Sequence, residues 1–294
     1  MIEILQVFIL GLCLGFVYAL MVSGLTLIFG VMRIVNLAHP ILIISGAFVS
    51  YWLFIKFGMD PILSVPAAAL TVALLGVLLY KLIFEKNAAQ QTYSEMTVLL
   101  TFGTAMVIDG LLAFLFHNTQ RITSPGYATD AIFIGEIFIP LAQLYSGIVS
   151  LTIIVVLAVF LKYSEFGIAI RATSQNRTSA ELVGVNVKFV CLVSFAIGCA
   201  LAGSAGALVS FVFSFFPSRH WEWIAILMSL VVLGGMGSLT GAVIGALVLS
   251  VVSSFVGAFY SPAWSTMVFF LALFLILIIR PRGYLELEQT EFIE

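Results

Sequence analysis

Charged residues are scarce in this chain: Asp, Glu, Lys and Arg make up 9% of its 294 residues, whereas 62% are hydrophobic. Soluble domains carry about a quarter charged residues, so the composition excludes a sizeable soluble domain and predicts an integral membrane protein. A mean hydropathy of +1.21 agrees with this. The chain has no basic patch interleaved with aromatic residues, which excludes nucleic acid as a partner.

Cysteine and histidine are also scarce. The three cysteines, Cys13, Cys191 and Cys199, lie inside apolar runs, and an odd number at such positions favours packing within the membrane over disulfides or metal sites. His39 has no neighbouring ligand, so no metal site is predicted. The Gly-Gly-Met-Gly-Ser segment at 234–238 lacks the Lys-Ser/Thr ending of a phosphate-binding loop, and we expect no cofactor in this chain.

Long apolar runs dominate the sequence, and about 20 such residues cross a bilayer as a helix. The run from Ile4 to Met32 lacks a basic flank and is too long for a signal peptide, so it is expected to be a retained transmembrane helix. The pattern predicts an all-α polytopic bundle forming one transmembrane domain over 1–294. Its candidate spans are 5–29, 38–56, 62–84, 96–116, 143–163, 189–214, 224–237, 240–259 and 263–280.

Two features bear on the number and direction of these spans. Glycines interrupt the run from 224 to 259, which leaves open nine crossings or eight plus a half-helix. If the 164–188 loop is cytoplasmic, nine basic residues share its side and three lie opposite, which predicts an outside N-terminus and an inside C-terminus. The nine are Arg33, Lys81, Lys86, Lys162, Arg171, Arg177, Lys188, Arg280 and Arg282; the three are Lys56, Arg121 and Arg219.

The 164–188 loop is polar yet suited to helix formation. Residues 166–173 are expected to continue the preceding helix, and Thr178 with Glu181 fits a capping box at the start of a short second helix. Gly184 suits the position just past the end of that helix. An ordered, partly apolar loop of this kind predicts a protein-docking surface. Its candidate residues are Gly167, Arg171, Ala172, Ala180, Glu181, Leu182 and Gly184.

Three polar or glycine-rich places inside the bundle are candidates for a translocation path. Asn36 and His39 follow the first span, where they form either a capped turn or a polar element near the path. Asp109 lies near the middle of its span, where a carboxylate costs about 2.5–3.5 kcal/mol and must face protein or water. It contacts a ligand ammonium, relays protons, or is a structural group bonded to hydroxyls such as those of Thr101 and Thr104; the structural role is favoured.

Gly234, Gly235 and Gly237 form the third place. Unwound backbone within a membrane persists only where it is buried in protein or lines a cavity. These glycines therefore belong either to a broken helix that exposes backbone groups to a substrate or to a tight turn between two spans. Small residues four apart, among them Gly11 and Gly15, are typical of close helix packing.

These motifs resemble those of permease subunits of ABC importers for branched-chain amino acids, end to end and in the same order. Residues 36–39 (Asn-Leu-Ala-His) are similar to the family's Asn-Phe-Ala-His-Gly motif. Residues 163–167, 169–172, 180 and 184–186 match its cytoplasmic coupling loop. Residues 232–238, with Gly241, Ile244 and Gly245, resemble its glycine-rich helix pair, and 281–283 its exit from the last helix. Two departures are Pro40 in place of the usual Gly and Ile41 in place of a frequent acidic residue.

The resemblance implies a bacterial-type inner-membrane location and a set of partners. These are a second permease subunit, two cytosolic ATP-binding subunits that dock on the coupling loops, and an extracytoplasmic binding protein that delivers the small-molecule substrate. The chain itself is then not an enzyme, and ATP is bound by the partner subunits. An amide or urea permease is the alternative within this class. An ion-coupled secondary carrier, for which Asp109 alone is thin support, and a passive channel are the alternatives outside it.

Overall fold

The computed structural model describes residues 2–85 and 93–279. Lys86, Arg280 and Arg282 of the orientation argument, and the 281–283 motif, lie outside these residues. The described chain forms eleven α-helices: α1 Ile2–Met32, α2 His39–Phe57, α3 Val65–Leu79, α4 Tyr93–Phe116, α5 Leu141–Tyr163, α6 Glu165–Gln175, α7 Arg177–Leu182, α8 Val187–Val212, α9 His220–Gly234, α10 Leu239–Phe259 and α11 Pro262–Ile279. A π-helical turn, Tyr80–Phe84, extends α3.

Eight of the described helices are long and apolar enough to cross a membrane; α6, α7 and α9 are not among them. The prediction of a polytopic helical bundle is therefore confirmed. The predicted span 224–237 is placed too late in the chain, because the helix found there, α9, begins at His220 and ends at Gly234. With 15 residues, α9 is about 22 Å long, shorter than a hydrocarbon core of about 30 Å.

The bundle is built around α8, whose small residues allow other helices to approach its backbone. Gly198 meets Gly24 of α1, Gly203 meets Gly46 of α2, and Gly76 of α3 meets Cys199. Helices in lipid gain no hydrophobic energy from one another and associate through such close contacts. The predicted pair of small residues Gly11 and Gly15 makes a similar close helix contact, since both glycines face α10.

Helix contacts fix the direction of each span. Gly15 lies against Leu247 and Gly30 against Gly237, so α1 and α10 are antiparallel. Gly234 lies against Gly241 and Ala242, so α9 and α10 form a tight antiparallel pair. Tyr18 lies beside Phe213 and Gly24 against Gly198, so α8 is also antiparallel to α1. Although short, α9 therefore runs in the opposite direction to both α8 and α10, which accords with the nine-crossing alternative.

The two ends of the bundle differ in structure and in charge. The loop end carries α6 and α7, and there Arg33 Nη2 donates to the carbonyl oxygen of Ser174 at 3.4 Å. Lys81, Arg177 and Lys188 line one groove at this end. At the other end, which we call the hairpin end, Arg121 pairs through its backbone with Phe215 and its guanidinium lies 5.9 Å from the Trp52 ring. The described basic residues thus group as the sequence predicted.

A β-hairpin gives the hairpin end its name and was not predicted. Strands β1 Ala131–Ile134 and β2 Ile137–Pro140 pair in antiparallel register, with Gly135 in the left-handed region at φ 65° between them. Nearby, the Tyr127 hydroxyl donates to Asp60 Oδ1 at 3.1 Å. Burial, followed by the charge of Asp60, raises the pKa of Tyr127, so this loop contact persists at neutral and mildly alkaline pH.

We expect Gly206→Ala to destabilise the bundle by about 1–3 kcal/mol, because an added methyl overpacks a fitted contact. A Cβ at Gly206 would meet the carbonyl oxygen of Ile43 and lie 2.7 Å from the Ala47 nitrogen. Gly103→Ala in α4 is the matched control, since a Cβ there meets nothing within 4 Å. Thermal unfolding in detergent compares the two variants, and equal midpoints would contradict the assigned packing.

Candidate functional site: two polar places along α4 and the paired helices of the loop end

The Asn36–His39 turn joins α1 to α2 and is buried. Asn36 Oδ1 accepts from the Ala38 N–H at 3.1 Å, and His39 Nε2 donates to the Met21 carbonyl oxygen at 3.0 Å. Asn36 is thus bonded within the turn and His39 is bonded to α1, whereas α2 begins after Ala38 without a side-chain cap. Asn36 Nδ2 and His39 Nδ1 nevertheless have no hydrogen-bond partner within the described residues. Two buried polar atoms therefore remain available to a ligand or to water.

Thr101 of α4 is hydrogen-bonded to this turn. Its hydroxyl oxygen accepts from the Leu37 N–H at 3.2 Å, and the hydroxyl lies 3.0 Å from the Val98 carbonyl. Any displacement of α4 would therefore pull on the turn that begins α2. The sequence pointed to Thr101 as a partner of Asp109 instead, because spacing along one helix does not reveal contacts with another.

Asp109 lies two turns further along α4 and faces His220, the first residue of α9. Asp109 Oδ1 is 3.8 Å from His220 Nδ1, which donates to the Pro217 carbonyl oxygen at 2.9 Å. The Asp109 side chain is 20% exposed, whereas His220 is fully buried. The expected bonds from Thr101 and Thr104 to Asp109 are wrong: the Thr104 hydroxyl donates to the Leu100 carbonyl at 2.7 Å.

Aromatic rings complete this α4–α9 patch, which we define as Phe102, Asp109, His220 and Trp221. The Trp221 ring lies 5.5 Å from that of Phe102 and 4.3 Å from that of His220. A carboxylate beside aromatic faces is suited to a small organic cation. The sequence did not single out His220 or Trp221; the signal was there, since His220 is one of only three histidines and adjoins an aromatic run.

Gly234, Gly235 and Gly237 form the turn between α9 and α10. Gly235 and Gly237 take φ values of 84° and 93°, a region that disfavours side chains, and Gly237 packs on Gly30 of α1. The structure thus shows the tight interhelical turn rather than a helix unwound at mid-membrane. Since His220 and Gly234 are the two ends of α9, this turn lies about 21 Å from the α4–α9 patch.

The coupling-loop prediction lies on two short helices with well-formed ends. Helix α6 is separate from α5, because Ser164 is extended and its hydroxyl caps Gly167 N at 2.9 Å. The expected continuation of α5 is therefore wrong. So is the capping box: the cap of α7 is Asn176, whose Oδ1 accepts from Ser179 N at 3.0 Å. A cap two residues earlier leaves Glu181 free to pair with Arg177 at 3.9 Å.

Gly184 ends α7 as predicted. Its φ is 88°, its N–H donates to the Glu181 carbonyl at 3.0 Å, and the Val185 N–H donates to that of Ala180 at 3.0 Å. This pair of bonds is the Schellman motif. Gly167 has a different role: a Cβ there would lie 2.5 Å from the Phe160 and Leu161 carbonyl oxygens, so only glycine permits the sharp turn into α6.

One side of the α6–α7 helix pair is buried and the other is exposed. Ile170, Thr173 and Ala180 pack into the bundle, and Ala172 is half-buried. Leu182 and Val183 are 84% and 79% exposed. Arg171 is exposed and donates to the Lys162 carbonyl at 3.2 Å, which ties α6 to the end of α5. The loop thus presents an exposed apolar surface, Leu182 and Val183, which we call the apolar knob. The helices that carry it are packed against the bundle through Ile170, Thr173 and Ala180.

Comparison with known proteins decides the family. Residues 7–278 match the family described as "Branched-chain amino acid transport system / permease component". The chain belongs to this family. It is therefore a permease subunit and a multi-pass membrane protein, as the motifs predicted.

Individual relatives match this chain over nearly its whole length. It is 27% identical to the high-affinity branched-chain amino acid transport system permease protein LivH of Salmonella typhimurium, over 96% of this chain and 95% of that one. It is 25% identical to the corresponding protein BraD of Pseudomonas aeruginosa, over 98% and 97%. Among solved structures, PsaBC from Streptococcus pneumoniae in complex with Fab has a TM-score of 0.51 at 13% identity, covering 92% of this chain and 91% of that one, and so shares its fold.

We expect Asp109→Asn to lower transport several-fold while leaving the detergent-stable yield unchanged. The hydroxyl bonds behind the structural role are absent, whereas the carboxylate is partly exposed beside aromatic rings. The amide keeps the shape and removes the charge. Asp109→Leu is the comparison, and it should reduce transport at least as much. Normal transport with Asn and poor yield with Leu would restore the structural role of Asp109.

Proposed function

We propose that this permease imports branched-chain or related amino acids and is driven by ATP hydrolysis in two partner subunits. A second permease subunit stands beside it, and an extracytoplasmic binding protein delivers the substrate. The loop end faces the cytoplasm, the hairpin end faces outward, and the membrane is the inner membrane of a bacterial-type cell. Family membership and the names of LivH and BraD support the substrate class.

The exposed apolar knob on α7 is the observation that carries the ATP-driven mechanism. Leu182 and Val183 project from the end of α7, which is capped at both ends and packs against the bundle through its buried Ala180. A solvated loop has no need of such order, whereas a partner that pushes on the bundle needs a stiff contact. Bonds continue inward from this base, from Ser174 to Arg33 and from the adjoining turn to Thr101 of α4. Movement of the docked subunit would thereby reach α4.

The opposite end suits a delivering protein. The β-hairpin presents Phe133, which is 71% exposed, and the rings of Phe133 and Phe138 lie 5.5 Å apart. A short two-stranded hairpin that bears apolar side chains outside the bundle offers a contact surface to a soluble protein. The α4–α9 patch lies at the start of α9, on the hairpin-end side of the bundle. There a carboxylate and aromatic rings would meet the ammonium and side chain of a passing amino acid.

Leu182→Asp is expected to abolish leucine import by the complex reconstituted with its ATPase and binding-protein partners. A charge at the centre of the knob prevents docking, and substrate-stimulated ATP hydrolysis should fall to the level seen without the permease. Leu182→Met is the matched control, since it keeps an apolar side chain of similar volume and should keep transport. Wild-type coupling in Leu182→Asp would refute the docking assignment.

The orientation is tested by cysteine labelling in a variant without Cys13, Cys191 and Cys199. A cysteine at Gly126, exposed at the hairpin end, should react in intact cells with a thiol reagent that cannot cross membranes. A cysteine at Gln175, exposed at the loop end, should react only after the membrane is permeabilised. The reverse pattern would invert the proposed topology.

A further inference from the structure

A polar cavity lies between α1, α9, α10 and α11. Its volume is about 260 Å³, and its charged lining comes from Arg219 and Glu222 at the start of α9. The first turn of α9 separates it from the α4–α9 patch: His220 and Trp221 face α4, whereas Glu222 and Trp223 face the cavity. The cavity and the patch therefore lie on different sides of the same helix turn.

The two charges in this cavity are close but not mutually satisfied. Arg219 Nη1 donates to the carbonyl oxygen and to the hydroxyl of Ser214, at 2.8 and 3.2 Å. Arg219 Nε is buried without a hydrogen-bond partner among the described residues, and the nearest carboxylate oxygen, Glu222 Oε2, is 3.8 Å away. That distance is too long for a hydrogen bond. A guanidinium N–H and a carboxylate thus both retain bonding capacity.

The remaining lining divides into an apolar wall and hydroxyls. Trp223, Phe213 and Phe269 supply the wall. Ser253 and Ser265 donate to each other's carbonyl oxygens, at 2.9 and 3.1 Å, which joins α10 to α11 behind the cavity. Thr266 also lines the space. A ligand that matches this lining has one anionic end, one cationic end and an apolar body.

We propose that this cavity binds an apolar α-amino acid as its zwitterion, with the carboxylate on Arg219, the ammonium on Glu222 and the side chain against Trp223. Charge-assisted hydrogen bonds are stronger than neutral ones, and opposite charges on one ligand let both residues, which are 22% and 39% exposed, be paired at once. Pockets of about 300–1,000 Å³ hold drug-sized ligands, so 260 Å³ suits a smaller solute. The assignment rests on the proposed amino-acid import and gives that substrate a binding site within one subunit.

Binding of radiolabelled L-leucine to the assembled transporter in lipid nanodiscs tests the assignment without requiring turnover. Arg219→Gln and Glu222→Gln should each weaken leucine binding at least ten-fold. Lys56→Gln and Glu3→Gln are the matched controls, because each removes one charge of the same sign at the same end of the bundle and should leave binding unchanged. Unchanged leucine binding in both cavity variants, at wild-type yield, would overturn the proposal.

Competition by analogues of leucine with one charge tests the same point on the wild-type protein, which removes any question of folding. 4-Methylpentanoate lacks the ammonium and isopentylamine lacks the carboxylate, so each should compete at least ten-fold less well than leucine. Equal competition by either analogue would overturn the zwitterion assignment.

Filling the cavity gives a third measurement. Thr266→Leu should abolish leucine binding by occupying the space, whereas Thr266→Ser should preserve it, and retained binding in Thr266→Leu would contradict the site. Failure of the inference is distinguishable from failure of the proposed function. If wild-type protein imports leucine but the cavity variants bind and import it equally well, only the inference fails. If wild-type protein neither binds nor imports any amino acid, the proposed function fails.

Discussion

The close contact of helix backbones around α8 is the constraint on which the rest of the structure depends. Gly198, Gly203 and Gly206 each allow another helix to lie against the α8 backbone. Because lipid offers no hydrophobic drive for helix association, this contact area and its fit must hold the bundle together. The fit also fixes the height of each helix: with Gly46 locked against Gly203, the turn that begins α2 cannot slide along α8.

Helix α9 shows how one short element organises the polar groups. Its first turn sends His220 and Trp221 toward α4, and it sends Arg219, Glu222 and Trp223 toward α1, α10 and α11. Consecutive residues on a helix point about 100° apart, so two different environments arise from five neighbouring residues. At its other end, the glycine turn lets α10 return at once, which holds α9 rigidly in place.

The loop end combines rigidity with exposure. Caps at Ser164 and Asn176 and the left-handed Gly184 define two helices without help from a partner. Their apolar residues Leu182 and Val183 are bare, although burial in a partner would be favourable. Arg33, itself in the left-handed region at φ 55°, ties this end to the turn that carries Asn36 and His39. A docked partner would therefore meet a surface that is bonded to the turn joining α1 and α2.

The sequence by itself determined the membrane class, most of the spans, the grouping of basic residues by face, and the left-handed end at Gly184. These follow from hydropathy, charge and local backbone geometry, which act over a few residues. Asn176 caps α7 in place of the expected Thr178, because the helix begins two residues earlier, at Arg177. Only the tertiary structure decided that Asp109 faces His220, that Gly234 to Gly237 form a turn, and that Arg219 and Glu222 line a cavity. The first and the last depend on how α4, α1, α10 and α11 pack against α9, and contacts between helices far apart in the chain leave no periodic trace in the sequence.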